Sequence, residues 1–333
     1  MKIYTYSLAV LLIMTSFLLY GCGEDDDNVK VMRFAETYGA DHVTAEADSE
    51  FARLVEEKSD GTIKIEVYTD GELGKEDEIL NKVYDGEIEF ARVSLSEAGK
   101  GSDALEKCEL PFVFKSKGHM WRALEQVLGP MLDLELSLKN GKIIGYMDSG
   151  AKNIYTAVPV EKPEDLENLI IRTNTFSNYS ADYFSGFRVK KVTLDTDAEV
   201  TEAFEEKTID GAEGNIIDYY NSGQYKYAPY LLKIEYRYVP DIIVMGSDTF
   251  SELTSKEQDI ITSAATEACL RQRENFENEE KEAEEKLISE GCKITTPSEE
   301  FKEKLLSDAE VTFKLIPRPD VEVSLLEQIR AMK

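Results

Sequence analysis

The chain has 333 residues, with 66 acidic against 38 basic side chains and a formal charge of -28. So acidic a surface repels polyanions, which excludes nucleic acid as a partner. Two histidines far apart, four cysteines without zinc-type spacing, and no P-loop, dinucleotide fingerprint or nucleophile elbow leave no metal or cofactor to expect.

At the N-terminus, Lys2 precedes an apolar run from Leu8 to Leu19 (LAVLLIMTSFLL). It has the length of a signal-peptide core and is too short to span a membrane, so residues 1–21 read as an export signal. The segment ends in Leu19-Tyr20-Gly21-Cys22, which resembles the lipobox of bacterial lipoproteins. That likeness implies a lipid on Cys22 and attachment to the membrane; the alternative is an ordinary secretory signal with an incidental cysteine after it. Residues 22–29 are polar and acidic, as a solvated tether should be. With Cys22 modified, Cys108, Cys269 and Cys292 allow at most one disulfide.

Beyond the tether, strand-like and helix-like patterns alternate. Lys30 to Ala35 and Thr62 to Tyr68 show strand periodicity around a helix from His42 to Lys58. A helix from about Lys75, a strand near Glu87 to Val93, a long helix from about Lys117 and a strand from Lys142 to Met147 follow. The second half repeats the pattern, with strands at Leu169 to Arg172, Ile234 to Tyr238 and Ile242 to Met245 and a helix near Asp195. Thr254 and Glu257 form a capping-box pattern ahead of Ile261, Ala265, Cys269, Phe276, Ala283 and Leu287, spaced by fours and sevens. That helix extends for roughly 35 residues, about 50 Å, long enough to brace two lobes. The alternation predicts an α/β fold with mixed sheets flanked by helices.

The fragments at residues 71–76 (GELGKE), 110–114 (LPFVF), 162–166 (KPEDL), 171–172 (IR) and 209–213 (IDGAE) occur in that order. Together they resemble the DctP-like extracytoplasmic binding proteins of TRAP transporters, from about Val29 to near the C-terminus. The resemblance implies a two-lobed periplasmic-binding-protein-like fold, with lobe I at residues 30–149 and 239–279 and lobe II at 150–238 and 280–333. It also implies capture of a small organic acid and delivery to TRAP integral membrane subunits, without enzymatic activity. The rival readings are a binding protein of an ABC-type importer, a solute sensor, and a secreted hydrolase using its many carboxylates.

Arg172 ends an apolar run, which puts its guanidinium at the carboxyl end of a sheet, where a fork of donors suits a carboxylate. The alternative is a structural ion pair; the resemblance implies the ligand role. Lys152, in residues 149–153 (SGAKN), stands where the family usually has arginine and keeps the charge without the fork. After Glu213 the family often has a ligand-binding asparagine, but here the position is Gly214. Asn215 either takes over that contact or caps the helix starting at Ile216. Asp197 falls where one branch of the family stacks an aromatic ring, and Ser94 and Glu97 replace that branch's acid and arginine. These replacements argue against sialic acid; Asp197, where it faces the cleft, would favour a hydroxy acid or sugar acid, and is otherwise a helix-start residue. His42 and Glu76 match family positions near the cleft and are candidate hydroxyl contacts, or simple helix-start residues. Trp121, Tyr219, Tyr220 and Tyr238 are candidate cleft walls, or core.

Overall fold

The computed structural model describes residues 29–102, 110–173, 187–194, 196–238, 240–315 and 320–332. The signal segment, Cys22, Cys108 and Asp195 lie outside them. Strand β1 (Lys30–Ala35) and helix α1 (Val43–Lys58) lead to β2 (Ile63–Tyr68), whose isoleucines point inward while Lys64 and Glu66 point out. Next come α2 (Glu76–Tyr84), β3 (Phe90–Ser94) and the short α3 (Leu95–Ala98). The long helix expected from Lys117 is interrupted. It comprises α4 (Lys117–Ala123), a π-helical turn over Leu124–Leu128, and α5 (Gly129–Ser137). The π-helical turn ends beside Gly129, where a Cβ would come within 2.6 Å of the Leu124 carbonyl.

Strands β4 (Gly141–Met147), β5 (Ala151–Thr156), β6 (Ile170–Arg172) and β7 (Lys190–Val192) follow. Then come α6 (Asp197–Glu205), β8 (Gly211–Gly214), α7 (Ile216–Asn221), β9 (Tyr230–Tyr238) and β10 (Asp241–Gly246). The chain closes with α8 (Ser247–Ser251), α9 (Ser255–Ser289), β11 (Lys293–Thr295), α10 (Glu299–Leu315) and α11 (Asp320–Ala331).

Two mixed sheets result, one per lobe. The first has the order β2-β1-β3-β10-β4 and the second β11-β9-β5-β8-β6-β7. Strand β10 lies antiparallel between β3 and β4, and all six of its residues are buried. The chain passes between the sheets from β4 to β5, returns from β9 to β10, and crosses again along α9.

Helix α9 carries the expected capping box, with Glu257 Oε2 accepting from the Thr254 backbone N–H at 2.7 Å. Its first half, from Ile260 to Cys269, packs with Phe34, Phe51 and Ile243 of the first lobe. Its second half places Phe276, Ala283 and Leu287 in the other core with Tyr155 and Tyr219. Gly145 of β4 permits the close contact with α9, since a Cβ there would come within 2.5 Å of the Cys269 sulfur. Between the halves sits Gln272, fully buried. Its amide accepts from the Asp148 N–H at 2.7 Å and donates to the Asp148 carbonyl at 2.8 Å, pairing like a strand with the β4–β5 crossing.

Cys269 and Cys292 are free, buried thiols in different cores. The C-terminal helix touches the first lobe as well. His119 Nδ1 accepts from the Lys115 N–H at 3.0 Å, so Nε2 carries the proton and donates to Ile329 of α11 at 2.9 Å. Lys115 Nζ also reaches the Arg330 carbonyl, and α11 is thereby fastened to α4 of the first lobe.

Candidate ligand-binding cleft

A cleft of about 1450 Å³ opens between the lobes and is walled by both. On the second lobe, pairing of β6 with β7 and β8 ends at Arg172, which is 8% exposed. Its Nε and Nη2 both donate to the Leu194 carbonyl, at 2.9 and 2.8 Å. Among the described residues no carboxylate lies within ion-pair distance of it. The guanidinium is thus aimed by a backbone oxygen, and among the described residues Nη1 has no hydrogen-bond partner. Lys152 enters the cleft from β5 and likewise has no ion-pair partner among the described residues. A register shift between Lys152 and Ile154 against β9 sets its direction.

Glu213, on β8, is buried, with Oε2 3.8 Å from Arg237 Nη2. It lines the cleft, but its charge faces another protein charge. Asp197 begins α6, and its Oδ1 accepts from the buried amide of Gln224 at 3.2 Å. Burial raises the Asp197 pKa and Asp218 adds to the rise, while Arg172, Gln224 and Lys152 oppose it.

Asn215 is the candidate that the structure does not bring to the cleft. Its Oδ1 accepts from the Asp218 N–H at 2.8 Å, and its Nδ2 donates to Asp218 Oδ2 and the Ser149 carbonyl. The side chain caps α7, the second of the two roles open to it. Gly214 does line the cleft, beside the ring of Tyr155.

In the first lobe, His42 caps α1 by accepting the Thr44 N–H on Nδ1 at 3.2 Å. Its ring stacks on Tyr38 at 3.9 Å, and Nε2 faces Asp218 Oδ1 of the other lobe at 3.5 Å. Burial raises the Asp218 pKa, but the His42 contact and the Lys152 charge prevail and hold it below the usual range. Glu76 begins α2 and is engaged on both oxygens, by Arg92 Nη1 at 2.8 Å and by Ser94 Oγ at 2.8 Å.

Sequence reasoning missed Arg92. This guanidinium is 1% exposed and is bonded to Glu36, Thr37 and Glu76, with Asp241 at 3.6 Å and the Tyr38 ring centroid at 4.3 Å. Burial pushes Glu36 up, but the Arg92 charge together with hydrogen bonds from Arg92, Asp48 and the Tyr38 backbone keeps the carboxyl low. Asp241 has burial on one side and Arg92 on the other; burial prevails, and its pKa is pushed up to about 7. The signal was an arginine inside the apolar run Phe90-Ala91-Arg92-Val93. The aromatics that were candidate walls or core take mainly the second role. Tyr219 and Tyr238 are core, Trp121 lies under Arg273 and Tyr220 stacks on Tyr225, whereas Tyr38 and Tyr155 line the cleft.

The family model for DctP, bacterial extracellular solute-binding protein family 7, matches residues 34–314. A solute-binding protein of Chromohalobacter salexigens is 30% identical over 247 residues, covering 73% of this chain and 72% of its own length. The C4-dicarboxylate-binding protein DctB of Bacillus subtilis is 27% identical over 251 residues, 73% of this chain and 71% of the relative. Among solved structures, a TRAP periplasmic solute-binding protein of Chromohalobacter salexigens with bound D-glucuronate aligns at TM-score 0.80 and 26% identity. The alignment covers 90% of this chain and 99% of that one. No helix among the described residues is long and apolar enough to cross a membrane. A two-lobed fold, a cleft between the lobes and a family match over most of the length agree: this chain belongs to the DctP family of TRAP-transporter solute-binding proteins, and is not an enzyme.

Proposed function

We propose that the cleft captures a hydroxy acid or sugar acid by its carboxylate and delivers it to TRAP integral membrane subunits. The observation that carries this reading is Arg172, buried and aimed yet without a carboxylate in ion-pair distance among the described residues. A carboxylate docking on Nη1 supplies a partner charge through a charge-assisted hydrogen bond, and Lys152 adds a second cation. Asp197, Glu76 and His42 then serve ligand hydroxyls, while Glu213 holds Arg237. Closure is a shift in population toward the state in which the ligand touches both lobes. Relatives support the ligand class: YiaO of Escherichia coli, 25% identical, is a 2,3-diketo-L-gulonate-binding protein, and a Pseudomonas putida structure at 25% identity holds D-glucuronate. The lobe boundaries follow the sheets, and residues 1–29 act as export signal and tether, with a lipid anchor on Cys22.

Titration calorimetry with D-glucuronate and D-galactonate tests the capture. Arg172→Ala is expected to weaken binding by roughly 2 to 5 kcal/mol, the cost of losing one partner of a buried charge pair. An unchanged dissociation constant would overturn the assignment.

A further inference from the structure

Asp197 is exposed at the start of α6, yet its orientation is set from inside the second lobe. Tyr155, 3% exposed on β5, has its hydroxyl 2.5 Å from Gln224 Oε1. An amide oxygen only accepts, so the phenol donates; burial holds the Tyr155 pKa far above its ordinary value and keeps the proton in place. With Oε1 so engaged, the Gln224 amino group points to Asp197 Oδ1 at 3.2 Å. Gln224 is 1% exposed, and Tyr155 is stacked on Tyr219 at 4.2 Å, so neither member of the relay moves freely. One oxygen of Asp197 is fixed, the other has no hydrogen-bond partner among the described residues, and the side chain lines the cleft together with Arg172 and Lys152. Gly214 keeps the adjoining wall open, since a Cβ there would come within 3.3 Å of the Tyr155 ring.

We infer that Asp197, oriented by Gln224 and Tyr155, is the specificity determinant that selects hydroxylated monocarboxylates over dicarboxylates. This rests on the carboxylate reading of Arg172. A ligand anchored on Arg172 brings its neighbouring carbons toward Asp197. A hydroxyl there donates to the carboxylate, whereas a second carboxylate meets like charge, so one residue both attracts the right ligand and repels the wrong one. Asp197 contacts ligand; Gln224 and Tyr155 are positioning residues.

The test is titration calorimetry of the purified chain with D-galactonate and with succinate. The wild type is expected to prefer galactonate. Asp197→Asn should weaken galactonate about tenfold and leave succinate equal or tighter, collapsing the preference. Gln224→Met and Tyr155→Phe should lower the same ratio by a smaller factor, because they free the carboxylate without removing it. A structural defect would weaken both acids alike, and that result, or an unchanged ratio, overturns the inference while leaving the capture reading intact. A wild type that binds neither acid overturns both.

Discussion

Two buried arginines show how neighbours decide what a charge can do. Arg92 is surrounded by Glu36, Glu76 and Asp241, whereas Arg172 is held by a carbonyl and has no ion-pair partner among the described residues. The first arrangement has a consequence for pH. Burial, opposed by Arg92, raises Asp241 to about 7, so the folded state favours its neutral form. The stability this residue contributes is complete below the ordinary carboxylate range and is lost as pH rises through about 7. Asp241→Asn should therefore stabilise the protein at pH 8 relative to pH 4, by up to about 4 kcal/mol for a shift of that size. Urea denaturation of both proteins at the two pH values checks this; equal differences at both would contradict it. Arg172 was legible because its place at the end of an apolar strand and within a motif are local properties. Arg92 was not, because its partners come from positions 36, 76 and 241 and meet only in the fold. Asn215 was ambiguous for another reason: an asparagine before a helix serves a cap or a ligand equally well, and only its hydrogen-bond partners decide.

Elements were legible where they carried their own signal. Strand β2 has period-two alternation and α9 has a capping box with apolar residues on one face, and both form where the pattern placed them. Strand β8 reads Gly-Ala-Glu-Gly, with no strand preference, and exists because β5 and β6 offer hydrogen bonds on both sides. At Gly211 a Cβ would come within 2.5 Å of the Tyr155 carbonyl, so the close approach that makes the strand also requires glycine. The interruption between α4 and α5 is a local π-helical turn that apolar spacing alone does not announce. Caps give this scale its test. Asn215→Ala should cost about 1 kcal/mol of stability through the start of α7. Its dissociation constant for D-galactonate should change far less than that of Arg172→Ala; a comparable loss of affinity would restore Asn215 to the binding set.

For the whole molecule, the acidic excess and the basic cleft wall act over different distances. A formal charge of -28 repels an approaching organic anion at long range, whereas Arg172 and Lys152 attract it only near contact. Screening weakens the distant repulsion first, since the Debye length falls to about 10 Å near 0.1 M salt. Stopped-flow association with D-galactonate should quicken as salt rises from about 0.01 to 0.1 M. A slowing would mean that the cleft cations dominate the approach. One further property follows from Gln272, which ties α9 to the β4–β5 crossing. With 17 residues of the helix on either side, it lies at the midpoint of the 35. The two halves are then arms of a lever about 25 Å long, pinned where the lobes meet. A tilt of only about 10° about that pin sweeps each tip through about 4 Å, more than the length of a hydrogen bond. Contacts across a cleft can thus be made or broken by a rotation small enough to leave both cores packed.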